Sequence, residues 1–240
     1  MKINSNHFIF VFSTVMVVVV AVLLSTASIG LGPRQNRNVK LEKMQNILSS
    51  VGIVSDPSHA EELYQKFISR ELVLNNKGEV VDSGKAAFDI DLKKEMDKAK
   101  KGNTDNQMFP LFISAKDGKN QYIIPVRGKG LWGPIWGYIS LDDDMNTVYG
   151  ISFGHKSETP GLGAEIETEA FQKQFIGKKI IDEAGSFTSV KVVKGGAKEG
   201  NTHEVDAISG ATVTSTGVTE MLQRVLASYI PYFKTKKESQ

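Results

Sequence analysis

Cysteine is absent from the chain. That excludes disulfides, a thiolate nucleophile, cysteine-ligated zinc and cysteine-bound iron–sulfur clusters. It says little about compartment, because 240 residues can bury a sufficient core without covalent staples. An excess of one charge is missing too: 29 basic against 27 acidic residues leave a formal net charge of +2. A nucleic-acid binder gathers lysine and arginine into a stripe or face, and no such stripe exists here. The densest basic runs, DLKKEMDKAKKG and KTKKESQ, are mixed with acids or sit at the tail and read as solvated surface. Nucleic acid is therefore not an expected partner.

Charge of either sign is absent from Phe8 to Pro33, and FIFVFSTVMVVVVAVLL within that stretch is nearly continuous hydrocarbon. A membrane-spanning helix needs about 20 residues, each rising about 1.5 Å, to cross a core about 30 Å thick. Phe8 to Leu31 is long enough. A cleaved signal peptide is the competing reading, with Ser25-Thr26-Ala27 as its cleavage site. The apolar run from Phe8 to Leu24 exceeds the usual signal core, which favours a retained anchor over residues 1–33. Lys2 lies on one side of it, and Arg34, Arg37, Lys40 and Lys43 follow on the other. Taken alone, the positive-inside rule puts the bulk of the chain in the cytoplasm.

After the anchor the apolar spacing changes along the chain. Residues 34–107 read as a helical and mixed extension. LEKMQNILSSVGIV and HAEELYQKFISRELVL both space apolar residues at three and four, predicting two helices over 40–73. NNKG at Asn75 to Gly78 is a turn. AAFDIDLKKEMDKAKKG is ambiguous, with strand-like alternation at Phe88 and Ile90 before a charged helical tail. From Met108 the period becomes two, and residues 108–240 read as one domain. Two strands meet at Lys116-Asp117-Gly118-Lys119, a hairpin signal. WGYISLDDDMNTVYGISFGH repeats the pattern around Asp142-Asp143-Asp144, which lacks the spaced oxygens of a cation site. A helical stretch over Glu165 to Ile176 and a short strand near Ser189 to Val193 follow. Val218, Met221, Leu222, Val225, Leu226 and Tyr229 form one buried helical stripe, which Pro231 ends. The expected class is α+β: a single amino-terminal transmembrane helix, then an antiparallel sheet packed with helices.

DAISGATVTSTGV, Asp206 to Val218, crowds Ser209, Thr212, Thr214, Ser215 and Thr216 around small residues just ahead of that stripe. A capping box fails, because Gly217 stands three residues before Glu220. Thr214, Ser215 or Thr216 can still cap the helix through its hydroxyl, and Ser209-Gly210 makes a turn. Thr212 stays unexplained by turn and cap. Its small neighbours leave its hydroxyl open to a bulky reagent, and the adjoining helix start favours a phosphate.

DAISGAT matches the flavinylation motif Asp-x-x-Ser/Thr-Gly-Ala-Thr of FMN-binding domains. GKGLWGPIWGYISLD, FGHKSETPGLGAEI, the anchor and the carboxy-terminal helix extend the likeness over most of the chain from Gln121 onward. The whole resembles the C-subunit family of the sodium-translocating NADH:quinone oxidoreductase. The resemblance implies covalent FMN, joined by a phosphoester to Thr212, with Asp206, Ser209, Gly210 and Ala211 as the surroundings a flavin transferase recognises. It also implies that Glu158, Thr159, Pro160, Gly161, Leu162 and Gly163 lie against the flavin ring, with Ser209, Gly210 and Ala211 near it. Pro160 and its glycines suit close approach to a flat heterocycle. Trp132 and Trp136 read as sheet core or as ring neighbours, and Trp132 is kept as a candidate contact. His155 and His203 are polar residues without an assigned role.

The same resemblance implies an electron-relay subunit, catalytic only within a multi-subunit complex that oxidises NADH, reduces ubiquinone and exports sodium. Its partners would be the other membrane and peripheral subunits, a flavin transferase for maturation, and the inner membrane through one helix. The soluble domain would lie on the periplasmic side, against the charge count. No sodium path is visible in this chain, because the apolar stretch from Phe8 to Pro33 holds no ionisable residue. Two alternatives stand beside this reading: the G subunit of the related ferredoxin:NAD oxidoreductase complex, and a membrane-tethered binding module without flavin.

Overall fold

A computed structural model describes residues 6–84, 86–116 and 118–238. Lys2 of the charge count, Asp117 of the hairpin signal and the last two residues of the basic tail lie outside them. Two units are distinct, residues 1–43 and residues 44–240. Helix α1 (Asn6–Ser50) contains the apolar stretch Phe8 to Leu31 of the expected anchor. Among the described residues it is the one helix long and apolar enough to cross a membrane, with a mean hydropathy of 2.8 in its most apolar window. Its apolar residues from Ile9 to Leu31 are exposed, the arrangement expected of a surface whose solvent is lipid.

In the second unit, α2 (Ala60–Phe67) is followed by β1 (Ile68–Leu74) and β2 (Val80–Asp82), and then by the short helices α3 (Ala86–Asp89) and α4 (Leu92–Lys100). Four long strands come next: β3 (Phe109–Lys116), β4 (Lys119–Lys129), β5 (Pro134–Leu141) and β6 (Val148–His155). A 3-10 turn (Gly163–Glu167), α5 (Glu169–Lys173), β7 (Lys191–Val193), β8 (Glu204–Asp206), α6 (Thr212–Ala227) and α7 (Ile230–Glu238) complete the chain. The main sheet has the order β2-β1-β3-β4-β5-β6 and is antiparallel throughout. The separate β7–β8 pair is parallel.

Both faces of the sheet are covered, so successive residues of its strands enter two different apolar clusters. Leu111, Ile113, Tyr122, Ile124, Ile135 and Ile139 point into one cluster with Val218, Met221, Leu222 and Leu226 of α6. Phe112, Ile123 and Tyr138, between them in sequence, point into the other with Ile47, Leu48 and Tyr64. Each fully buried side chain of this size contributes about 1.5–3 kcal/mol, so α6 is held chiefly by its stripe.

The structure corrects several local expectations. The second predicted helix stops at Phe67, and residues 68–74 form β1 instead, paired with β3 from Ile68↔Ser114 to Leu74↔Phe109. The alternation at Phe88 and Ile90 is not a strand. Phe88 lies in α3, and Asp91 caps α4 by accepting the Lys93 N–H at 2.9 Å. The stretch over 165–176 is not one helix: Thr168 interrupts it, extended at φ −72°, ψ 144°, and its side chain caps α5. Ser189, with φ 61°, precedes the strand rather than starting it. Finally, α6 starts at Thr212, with Ala211 at the cap position and no side-chain cap. Pro231 does not end that helix. It is the second residue of α7, in the first turn, where a missing N–H costs nothing.

Candidate functional site

Three segments meet where α6 begins: the β4–β5 loop, the connection from β6 to α5, and residues 206–214. They enclose a hollow of about 300 Å³ lined by Leu131, Trp132, Glu158, Thr159, Leu162, Gly163, Gly210, Ala211, Thr212, Val213 and Thr214. Most of these are candidates from the sequence; Pro160 and Gly161 are candidates that do not line it. Gly161 turns the chain at φ 75° and donates its N–H to Glu165 Oε1 at 3.0 Å. Ser209 and Asp206 lie on a neighbouring hollow with Lys194, Gly195 and Gly196. A third hollow lies against Lys129, Leu131, Thr216 and Glu220. Thr212 borders all three.

The first turn of α6 divides its hydroxyls among different tasks. Thr214 is 1% exposed and donates to Glu158 Oε2 at 2.6 Å. Ser215 is 2% exposed, and its hydroxyl accepts the Ile208 N–H at 3.3 Å. Thr212 and Thr216 are exposed.

Glu158 is the brace of the hollow rather than a free contact. It is buried, and besides Thr214 it accepts the Trp132 N–H at 2.8 Å. Burial pushes its carboxyl up, but the Thr214 hydroxyl and the backbone N–H groups of Trp132, Leu131 and Gly133 outweigh this and hold it below the ordinary value. The carboxylate fits because Gly130 and Gly163 stand beside it; a Cβ on Gly130 would lie 2.6 Å from Glu158 Oε1. Gly210, at φ 74°, admits Leu162 in the same way, since a Cβ there would lie 2.7 Å from Leu162 Cδ2.

The rim of the hollow is apolar. Trp132 is 67% exposed, and Leu131, Leu162 and Val213 are exposed around it. Trp132 is thus not sheet core, whereas Trp136 on β5 is half-buried across from Gly154. Asp206 works locally: its N–H donates to Gln174 Oε1 at 2.8 Å, and its Oδ1 accepts the Ala197 N–H at 2.7 Å. His203 Nδ1 bonds the Lys179 carbonyl at 2.7 Å, away from the hollow. Sequence reasoning missed Leu131 and Val213 as lining residues and Thr214 as the partner of Glu158. That last bond spans 56 residues, so no local pattern encodes it.

Comparison with known proteins gives a consistent picture. The FMN-binding domain family matches residues 130–227, a span that contains every residue lining the first hollow. The C subunit of the Na(+)-translocating NADH-quinone reductase of Vibrio anguillarum is 37% identical over 211 residues, covering 83% of this chain and 82% of that protein. The crystal structure of the corresponding C subunit from Parabacteroides distasonis matches with a TM-score of 0.75 at 42% identity, over 85% of this chain and 96% of that one. Shewanella oneidensis NqrC matches with a TM-score of 0.70 at 27% identity, over 85% of this chain and all of that one (100%).

Proposed function

We propose a function from one premise: the chain belongs to the family formed by the C subunits of Na(+)-translocating NADH-quinone reductases and carries its FMN-binding domain. From that membership, its cofactor is FMN and its partners are the other subunits of the reductase. The finer reading is that the FMN phosphate is esterified to the Thr212 hydroxyl, installed by a flavin transferase, and that the bound flavin relays electrons from NADH toward ubiquinone. Residues 1–33 anchor the subunit in the inner membrane, with the soluble domain on the periplasmic side, and the complex couples the electron flow to sodium export.

One observation carries the attachment site. Of the hydroxyls in the first turn of α6, Thr214 and Ser215 are buried and bonded, whereas Thr212 is exposed and borders all three hollows. Thr216, the other exposed one, borders a single hollow. The residues present also suit the cofactor. Trp132, Leu131, Leu162 and Val213 offer an exposed apolar rim for a flat heterocycle. The start of α6, which has no side-chain cap, favours an anion beside Thr212. When bound, FMN supplies the redox chemistry, and the protein supplies position and electrostatics. Glu158 fixes two walls of the seat by bonding Trp132 and Thr214 together. Deprotonation of the Thr212 hydroxyl is assigned to the transferase in this reading.

The test is a denaturing gel viewed under ultraviolet light, with intact mass measured on the natively expressed chain. Wild type and Thr216→Ala should give a fluorescent band and an added flavin mass; Thr212→Ala should lose both while staying folded. A band that survives Thr212→Ala overturns the assignment.

A further inference from the structure

His155 ends β6 with its side chain 18% exposed. Its Nδ1 accepts the Glu158 N–H at 3.2 Å. Its Nε2 faces Glu167 Oε1 at 3.7 Å, and the same oxygen accepts the His155 backbone N–H at 2.9 Å. We propose that His155 is a proton-responsive positioning residue: neutral, with its proton on Nε2, it holds the start of the 158–163 turn, and on taking up a second proton it lets go.

The reason is the inventory of the imidazole ring. A neutral ring has one acceptor nitrogen, and the bond from Glu158 requires that this be Nδ1; a charged ring has only donors. Protonation therefore sets two N–H groups against each other where a hydrogen bond stood. Glu167 acts in the opposite sense, because its carboxylate attracts the charged ring.

The other charged groups nearby do not substitute for either: on α5, Glu169 and Lys173 are paired with each other at 2.7 Å. Glu158 presents its backbone to the ring while its carboxylate is committed to Thr214 and Trp132. Lys156 is exposed, and Glu165 accepts the Gly161 N–H. On β5, Ile135 stands opposite His155 and carries no charge.

A shift of the Glu158 backbone reaches two walls of the hollow, because its carboxylate bonds the Trp132 N–H and the Thr214 hydroxyl. The consequence for a bound flavin rests on the reading given above; the switch itself does not.

Hydrogen exchange by mass spectrometry on the full-length chain in detergent, prepared without flavin, tests it. From about pH 8 to about pH 5, the span over which histidine changes charge, protection of the peptide covering residues 157–162 should fall about five-fold beyond intrinsic exchange, the equivalent of one hydrogen bond. His155→Gln, whose amide oxygen accepts at either pH, should keep the peptide protected and flat. His155→Phe should leave it unprotected at both, and peptides from β4 should not change in any variant. A flat wild-type profile, the same fall in His155→Gln, or full protection in His155→Phe overturns the proposal. Because no flavin signal is read, failure of flavin attachment leaves the result intact.

Discussion

Replacing Thr214 by valine removes one hydroxyl from beneath the hollow and changes little else. Valine keeps the branched shape, so no cavity is created, but its methyl cannot sit 2.6 Å from a carboxylate oxygen as the hydroxyl does, and the two side chains must part slightly. What is lost is the 2.6 Å bond to Glu158 Oε2, made between two buried side chains. Hydrogen bonds to charged groups contribute about 1.5–3 kcal/mol. The Trp132 N–H still serves the other carboxylate oxygen, which places the expected loss near the middle, about 2 kcal/mol. For a unit of this size each kcal/mol moves the melting temperature by about 2–4 °C, so Tm should drop by about 4–8 °C at pH 7. The pH dependence follows from the sign of the Glu158 shift. Its carboxyl is held below the ordinary 4.5 in the folded state, so the stability it contributes is present above that pH and is lost as the pH falls through the lower folded value. The gap between wild type and Thr214→Val should therefore narrow on acidification below about pH 4. Thermal melts by circular dichroism, run in detergent at both pH values, measure it. A drop of less than about 1 °C at pH 7, or an equal drop at both pH values, refutes the assignment of Glu158 as a charged brace.

Three further outcomes are expected. Ser189 is fully buried with φ 61° and a hydroxyl lacking a partner; Ser189→Gly should raise stability by about 1 kcal/mol, the relieved left-handed strain outweighing glycine's entropy, as read from urea midpoints. Gly217 of α6 lies against the Lys129 carbonyl; Gly217→Ala gains about 1 kcal/mol of helix propensity but forces two backbones apart, and overpacking of about 1–3 kcal/mol should win, lowering Tm. Trp132 is 67% exposed; Trp132→Ala should leave Tm unchanged while altering the visible absorption of the bound flavin, and an unaltered spectrum removes Trp132 from the seat.

What can be read without the structure is whatever depends on neighbours in sequence. The β3–β4 hairpin is legible from alternation and from Gly118, which turns at φ 76°. The second helix is overextended because the spacing of Leu63, Phe67 and Leu72 satisfies a helix, while residues 68–74 are committed to a strand only by pairing with β3. Glu158, which lines the hollow, is legible as a candidate. Its burial and its bond to Thr214 are not, since they depend on a segment that arrives much later in the chain.

The hydroxyl cluster falls between these cases. The sequence places a cap among Thr214, Ser215 and Thr216, and that error hides the reason one threonine stands out. Once α6 starts at Thr212, the stripe running through Val218, Met221 and Leu222 extends back one turn, and positions four and three residues before Val218 turn inward. Those positions are Thr214 and Ser215, which are buried; Thr212 and Thr216 share the opposite face and are exposed. Neither inward hydroxyl is spent on capping, because Glu158 and Ile208 have taken them. For the proposed attachment, helix phase leaves two exposed threonines, and of these it is Thr212 that borders all three hollows. The motif points to the same residue with no knowledge of either constraint. A single residue inserted between Gly210 and Thr212 would leave Thr212, Thr214 and Ser215 in phase with the stripe, whereas one inserted between Thr214 and Val218 would rotate Thr212 by about 100° and break the Glu158 brace with it.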